Sequence, residues 1–116
     1  MMTLIESIRT CFIRYIDFDG RSSRSEFWYF MLFLIVAWYP LHFISHLLSG
    51  LFTLATLVPA LAVATRRLHD TNRSGWWQLL NLLPFVGVVV LIVFYIQEAV
   101  EPNYYGESAD DVLELL

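Results

Sequence analysis

The chain has 116 residues, 58% of them hydrophobic and only 16% charged, with a net charge of −4 and a mean hydropathy of +0.59. That length makes one domain, and a soluble domain this small buries too little of its surface to hide so much apolar side chain. The acidic balance excludes a nucleic-acid binder, and the single Cys11 excludes an internal disulfide or a multi-cysteine metal site.

In chain order, residues 3–16 predict an amphipathic helix. Leu4, Ile8, Phe12 and Tyr15 recur at helical spacing, with Glu6, Arg9 and Arg14 elsewhere. Next to membrane spans such a helix lies in the interface or packs on the ends of the spans. It does not read as a cleavable signal peptide, because Glu6 and Arg9 stand where a basic region and an apolar run would be needed. Residues 17–26 form a polar loop with an Asp19-Gly20 turn, and Ser23 or Ser25 is placed to cap the next helix.

Three apolar stretches follow. A helix over 27–48 reaches about 33 Å, enough to cross the ~30 Å hydrocarbon core. Ser49-Gly50 reads as the break before a second span, and 51–65 is so short that the span must start earlier, giving 47–65, or let Arg66 and Arg67 snorkel. The third span is expected over 76–97 and the acidic tail over 98–116. Pro40, Pro59 and Pro84 fall one to a span and predict kinks. Thr56, Ala60 and Ala64 make a stripe of small residues that places the second span at the centre of the bundle. The fold class expected is an all-α integral membrane protein with about three transmembrane helices and an N-terminal interfacial helix.

All seven basic residues are arginines, at 9, 14, 21, 24, 66, 67 and 73. They flank the first span on its N-terminal side and lie between spans two and three. The positive-inside rule then sets the N-terminus in the cytoplasm and the acidic C-terminus outside, with Trp28, Tyr29, Trp76 and Trp77 at the inner interface.

Two segments concentrate the polar residues: Phe18-Asp-Gly-Arg-Ser-Ser-Arg-Ser-Glu-Phe-Trp28 and Arg66-Arg-Leu-His-Asp-Thr-Asn-Arg-Ser-Gly-Trp-Trp77. Leu83-Pro84-Phe85-Val86-Gly87 follows, and Asn103-Tyr-Tyr-Gly106 stands near the end. Across residues 12–107 these motifs resemble the YhaH/YhaI-type family of small bacterial inner-membrane proteins, whose domain has no known function. The chain departs from the family at its tail, where Glu107-Ser-Ala-Asp-Asp111 replaces an expected proline. The resemblance implies a multi-pass location in the bacterial inner membrane and a helical fold. It implies no activity, substrate or partner.

The candidate cluster is Arg21, Arg24, Glu26, Arg66, Arg67, His69, Asp70, Arg73, Trp76 and Trp77. Its arginines suit an interfacial ion-pair network, since the guanidinium fork pairs bidentately with carboxylates. The alternative is a basic pocket for an anionic lipid headgroup or another phosphate-bearing ligand, with the tryptophans as an apolar wall. His69-Asp70 invites a catalytic reading, but neighbours on a helix do not face each other, and no nucleophile motif accompanies them. Ser74 is placed to cap the third span. His42 and His46 have the i, i+4 spacing of a metal pair, yet interfacial hydrogen bonding explains them as well. Gln78 and Asn81 are placed to hydrogen-bond between helices. No catalytic residue, metal ligand or cofactor is expected. The expected partner is the bilayer, anionic lipids included, with a homo-oligomer or another membrane protein as further possibilities. A transporter would need such an oligomer.

Overall fold

A computed structural model describes residues 2–106. Among them are four α-helices and one 3-10 helix: α1 Leu4–Ile13, α2 Arg24–Ile44, α3 His46–Asp70, the 3-10 segment Gly75–Leu82, and α4 Val86–Ile96. The helix α1 starts where the Thr3 hydroxyl accepts the Glu6 N–H. It turns its small residues inward: Ser7 and Cys11 are buried, and Ser7 Oγ donates to Ser25 O. Ile5, Ile13 and Ile16, each more than two-thirds exposed, point away from the rest of the protein. Part of the apolar side of α1 therefore looks outward, beside Glu6 and Arg9, while Phe12 packs edge-on against Phe30 and Phe33.

The helices α2 and α3 are both long and apolar enough to cross a membrane. Ser23 caps α2 by accepting the Glu26 N–H. The break between them corrects the expected one. It falls at Ser45, whose backbone is extended (φ −163°, ψ 136°) and whose side chain caps α3 by accepting from Leu47 N. Ser49 and Gly50 stay helical, the Ser49 hydroxyl donating to His46 O. In consequence α3 runs 25 residues, about 37 Å at 1.5 Å per residue. The span expected to be short is the longest helix, and Arg66 and Arg67 lie inside it rather than snorkelling from its end.

The expected third span, 76–97, is not one helix. Ser74 caps the 3-10 segment by accepting Trp76 N–H. The chain then reverses at Leu83-Pro84-Phe85. Val86 N donates to Pro84 O (2.7 Å), with Phe85 at φ 62°, ψ −63°. That is a γ-turn of the rarer, strained kind. The apolar α4 has 11 residues, about 16 Å, roughly half of a hydrocarbon core. It doubles back along the 3-10 segment so closely that a Cβ on Gly87 would sit 1.6 Å from Leu80 O. Pro84, expected to kink a span, instead sits in the turn of a hairpin.

This hairpin corrects a second expectation. Its far end, with residues 97–106, returns to the end of the bundle that holds residues 20–26 and 66–73, not to the opposite end. Residues 107–116 of the acidic tail lie outside the described residues.

The core follows from the same geometry. Cys11, Phe27, Phe30, Val63, Leu68, Leu91 and Tyr95 form one buried cluster at the arginine-bearing end. Ala62 through Thr71 are buried without interruption along α3, the element that contacts all the others. Of the small-residue stripe, Thr56 and Ala64 are buried and Ala60 packs on the core. At the other end Phe43, Ile44, Leu51 and Leu54 are exposed, a surface suited to lipid.

Candidate functional site

The polar cluster is built on the last two turns of α3. Arg66 and Arg67 are adjacent, so they leave the helix on different sides and each meets a different element. Arg66 turns toward α2 and α1. Its Nη1 lies 3.0 Å from Glu26 Oε2, and neither side chain has any exposed surface. The contact joins charges without an aligned N–H bond. Glu26 Oε2 also accepts from Ser22 Oγ (3.3 Å) and from the Cys11 thiol (3.7 Å). Burial, reinforced by the Glu26 charge, pushes the Cys11 thiol well above its usual range, so it stays protonated and donates. Glu26 Oε1 and Arg66 Nη2 are buried without a partner.

Arg67 turns toward α4. Its Nη1 is 2.6 Å from Asp70 Oδ2, and its Nε donates to Tyr95 O at 2.8 Å. Its Nη2 donates to Gln97 O. The guanidinium thus fills the orphan carbonyls at the C-terminus of α4, where a positive charge also meets the negative end of the helix dipole. The other Asp70 oxygen, Oδ1, accepts from Arg21 Nε at 2.8 Å. Arg21 is buried, and its Nη1 reaches Gly106 O (3.1 Å) and the exposed Glu101 (2.7 Å). Asp70 is therefore held between two arginines that arrive from opposite sides.

The C-terminus of α3 is closed in three layers. Arg73 N donates to Leu68 O and Asn72 N to His69 O, both 2.9 Å, with Asn72 at φ 61°. This is a Schellman ending, with asparagine in the left-handed position. Val100 N then donates to Asp70 O (2.9 Å), and Asn103 Nδ2 to His69 O (2.8 Å). Finally Tyr104 N donates to Asn72 Oδ1 (2.9 Å), and Tyr105 stacks on the His69 ring with centroids 3.9 Å apart. The Asn103-Tyr-Tyr-Gly106 element is thus a cap delivered from the far end of the chain. Sequence reasoning noticed the element but missed this role. Asn72 and Asn103 were the available signal, since both suit helix ends.

His69 and Asp70 do not act on each other. The carbonyl of Gly20 only accepts, so His69 Nδ1–H donates to it at 2.8 Å, while Asp70 is occupied by Arg21 and Arg67. Arg24 and Arg73 lie at the rim. Arg24 reaches Ile96 O at 3.4 Å, and Arg73 bonds Gln97 Oε1 (2.7 Å) with its guanidinium carbon 4.1 Å above the Phe94 ring. Trp77 packs edge-on against Phe94, while Trp76 is largely exposed. Gln78 bonds Thr65 Oγ1, joining the hairpin to α3.

His42 and His46 sit far from this cluster, on either side of the Ser45 break, with ring centroids 4.4 Å apart. His42 Nδ1 hydrogen-bonds Ser49 Oγ (3.3 Å). Among the described residues no three His, Cys, Asp or Glu side chains come together as a metal site.

Each sequence motif thus has a structural counterpart: the first two meet in the cluster, Leu83–Gly87 turns the hairpin, and Asn103–Gly106 caps the result. The family described as "Protein of unknown function (DUF805)" matches residues 15–107, a span that contains all four. Inner membrane protein YhaI of Escherichia coli K12 is 43% identical over 81% of this chain and 86% of its own. Inner membrane protein YhaH of the same strain is 39% identical over 72% of this chain and 78% of its own. No solved structure matches the chain significantly. The chain belongs to the DUF805 family and is an all-α integral protein of the inner membrane.

Proposed function

We propose that this protein is a lipid-associated structural module of the inner membrane, and that its arginine cluster is an internal clamp at the cytoplasmic face. The observation that carries the reading is Arg67. One guanidinium holds Asp70 together with the carbonyls of Tyr95 and Gln97, and so ties the end of the hairpin to the end of α3. A headgroup site needs guanidinium N–H groups open to a ligand, whereas Arg21, Arg66 and Arg67 are buried. Two helices cross the bilayer in this reading, and the 3-10/α4 hairpin enters and leaves from the cytoplasmic side. The N-terminal segment and residues 97–106 then share that side. The exposed Ile5 and Ile13 of α1 support an interfacial position for that helix.

Single cysteines at Leu47, Asn72 and Tyr104, introduced into a Cys11→Ala background, test the arrangement in intact cells. Leu47→Cys is expected to react with a membrane-impermeant maleimide from outside. Asn72→Cys and Tyr104→Cys should react only after permeabilisation. Labelling of Tyr104→Cys from outside overturns the hairpin.

Anionic headgroups are a second reading, confined to the rim. Arg24 is exposed and Arg73 partly so, beside Trp76 and Trp77 at headgroup depth. Phosphatidylglycerol or cardiolipin retained by the purified wild type, and lost in Arg24→Gln/Arg73→Gln, is the expected result of that reading. Equal retention removes it.

A further inference from the structure

The cavity between the end of α3 and the 3-10 segment belongs to no part of the clamp. It holds about 550 Å³, within the ~300–1,000 Å³ of ligand pockets. Its back wall is a single stripe of α3, His69, Thr65 and Leu61, and its front wall is Gly75 to Leu79, with Phe18 and Tyr105 over one end.

Three features say what it takes. Polarity is graded along the stripe. His69 lies at the clamp end, Thr65 one turn deeper and Leu61 two turns deeper, about 12 Å at 1.5 Å per residue. A lipid standing in a leaflet has the same gradient, head at the interface and chain toward the centre. Next, the polar end is neutral, because no arginine or carboxylate lines it. Last, its hydrogen-bonding groups are of both kinds. The Thr65 hydroxyl, which accepts from Gln78, keeps its own proton to donate. His69 donates through Nδ1 to Gly20 O and keeps Nε2 as an acceptor. A phosphate or carboxylate finds no counter-charge there, whereas a hydroxyl finds a donor and an acceptor.

The geometry points to a binding site for the hydroxyl head and upper chain of a neutral lipid of the diacylglycerol type, lying between α3 and the 3-10 segment. The inference rests on the proposed placement of the clamp end at the membrane interface. The exposed Trp76 and Leu79 leave the mouth open to lipid. Gly75 keeps the front wall docked, since a Cβ there would lie 2.6 Å from Thr65 Cγ2.

The test is photo-crosslinking in phosphatidylcholine nanodiscs carrying a photoactivatable diacylglycerol, with photoactivatable phosphatidylglycerol and fatty acid as separate arms. Diacylglycerol is expected to label residues 61–79 preferentially. Labelling there should fall about fivefold in Thr65→Val, the loss of one net hydrogen bond, and fall in Leu61→Trp or Leu79→Trp, which narrow the cavity at its apolar end. Protection of Cys11 from maleimide in each variant shows that the fold persists. If one Trp variant unfolds, the other and Thr65→Val carry the test. Diacylglycerol labelling spread evenly over the lipid-facing surface overturns the site. Equal labelling of 61–79 by phosphatidylglycerol or the fatty acid overturns its neutral specificity. Failure of the proposed topology would appear instead in the impermeant-maleimide pattern, which none of these arms reads.

Discussion

Glu26 Oε2 and Arg66 Nη1 stand 3.0 Å apart with no exposed surface on either side chain. The pair joins the first turn of α2 to the last turns of α3, and Cys11 on α1 donates to the same carboxylate oxygen. Three helices therefore converge on one buried carboxylate. Desolvating the two charges costs several kcal/mol each, which their attraction offsets only while both are present.

Removing one partner is accordingly expected to be worse than removing both. Glu26→Leu or Arg66→Met should each destabilise by roughly 3–5 kcal/mol, because a buried charge is left unmatched. The double variant Glu26→Leu/Arg66→Met should recover much of that loss. Denaturant titration of the detergent-solubilised protein, followed by tryptophan fluorescence, gives all three values. Additive losses in the double variant would show that the pair is not coupled.

Cys11 gives a native probe of the same contact. It has no exposed surface and is held as a thiol by burial beside Glu26. Maleimide should modify it only after unfolding in wild type, and much faster in Arg66→Met, where the helices separate. Rapid modification of the native wild-type protein would mean that α1 does not pack as described.

How far the sequence revealed this arrangement depends on the range of the forces involved. A long apolar helix after residue 26 and a serine cap before it, Ser23 or Ser25, were legible, because hydropathy and capping are local signals; the helix runs Arg24–Ile44 rather than 27–48, and Ser23 is the cap. The Ser45 break was hidden by a more conspicuous Ser49-Gly50. Glycine permits a break but does not require one, while Ser45 supplies a cap that Gly50 lacks. The hairpin was hidden by length: 76–97 carries no charge and is mostly apolar, and hydropathy does not distinguish one long helix from two short arms. Leu83-Pro84-Phe85 was the local clue, but proline in a membrane span more often marks a kink. The membership of the arginines in two motifs was visible, whereas their burial was not. Charges flanking spans usually face water, and here the return of residues 97–106 adds to the cover over Arg21 and Arg67.

The turn itself can be tested. Phe85 adopts φ 62° with its side chain largely exposed, so Phe85→Gly removes strain of about 1–2 kcal/mol and loses little contact. It should leave the thermal midpoint unchanged or raise it. Gly87→Val should do the reverse and separate α4 from the 3-10 segment, because the space its Cβ needs is occupied by Leu80 O. Equal behaviour of the two variants would argue for a continuous helix across residues 83–87.

Asn103, near the end of the described chain, caps a helix by bonding a carbonyl 34 residues earlier. Asn103→Ala deletes the bond to His69 O and should cost about 1 kcal/mol, the net value of one hydrogen bond. Tyr105→Ala should cost more, since it also uncovers the His69 ring stacked 3.9 Å away. Both losses depend on the carbonyls at the end of α3 being held by the returning segment. Replacing Arg67 by Gln releases that segment at Tyr95 and Gln97, so Asn103→Ala should lose most of its effect in an Arg67→Gln background. A double-mutant cycle on thermal midpoints measures the coupling. Strict additivity would mean that Asn103 reaches α3 without the clamp.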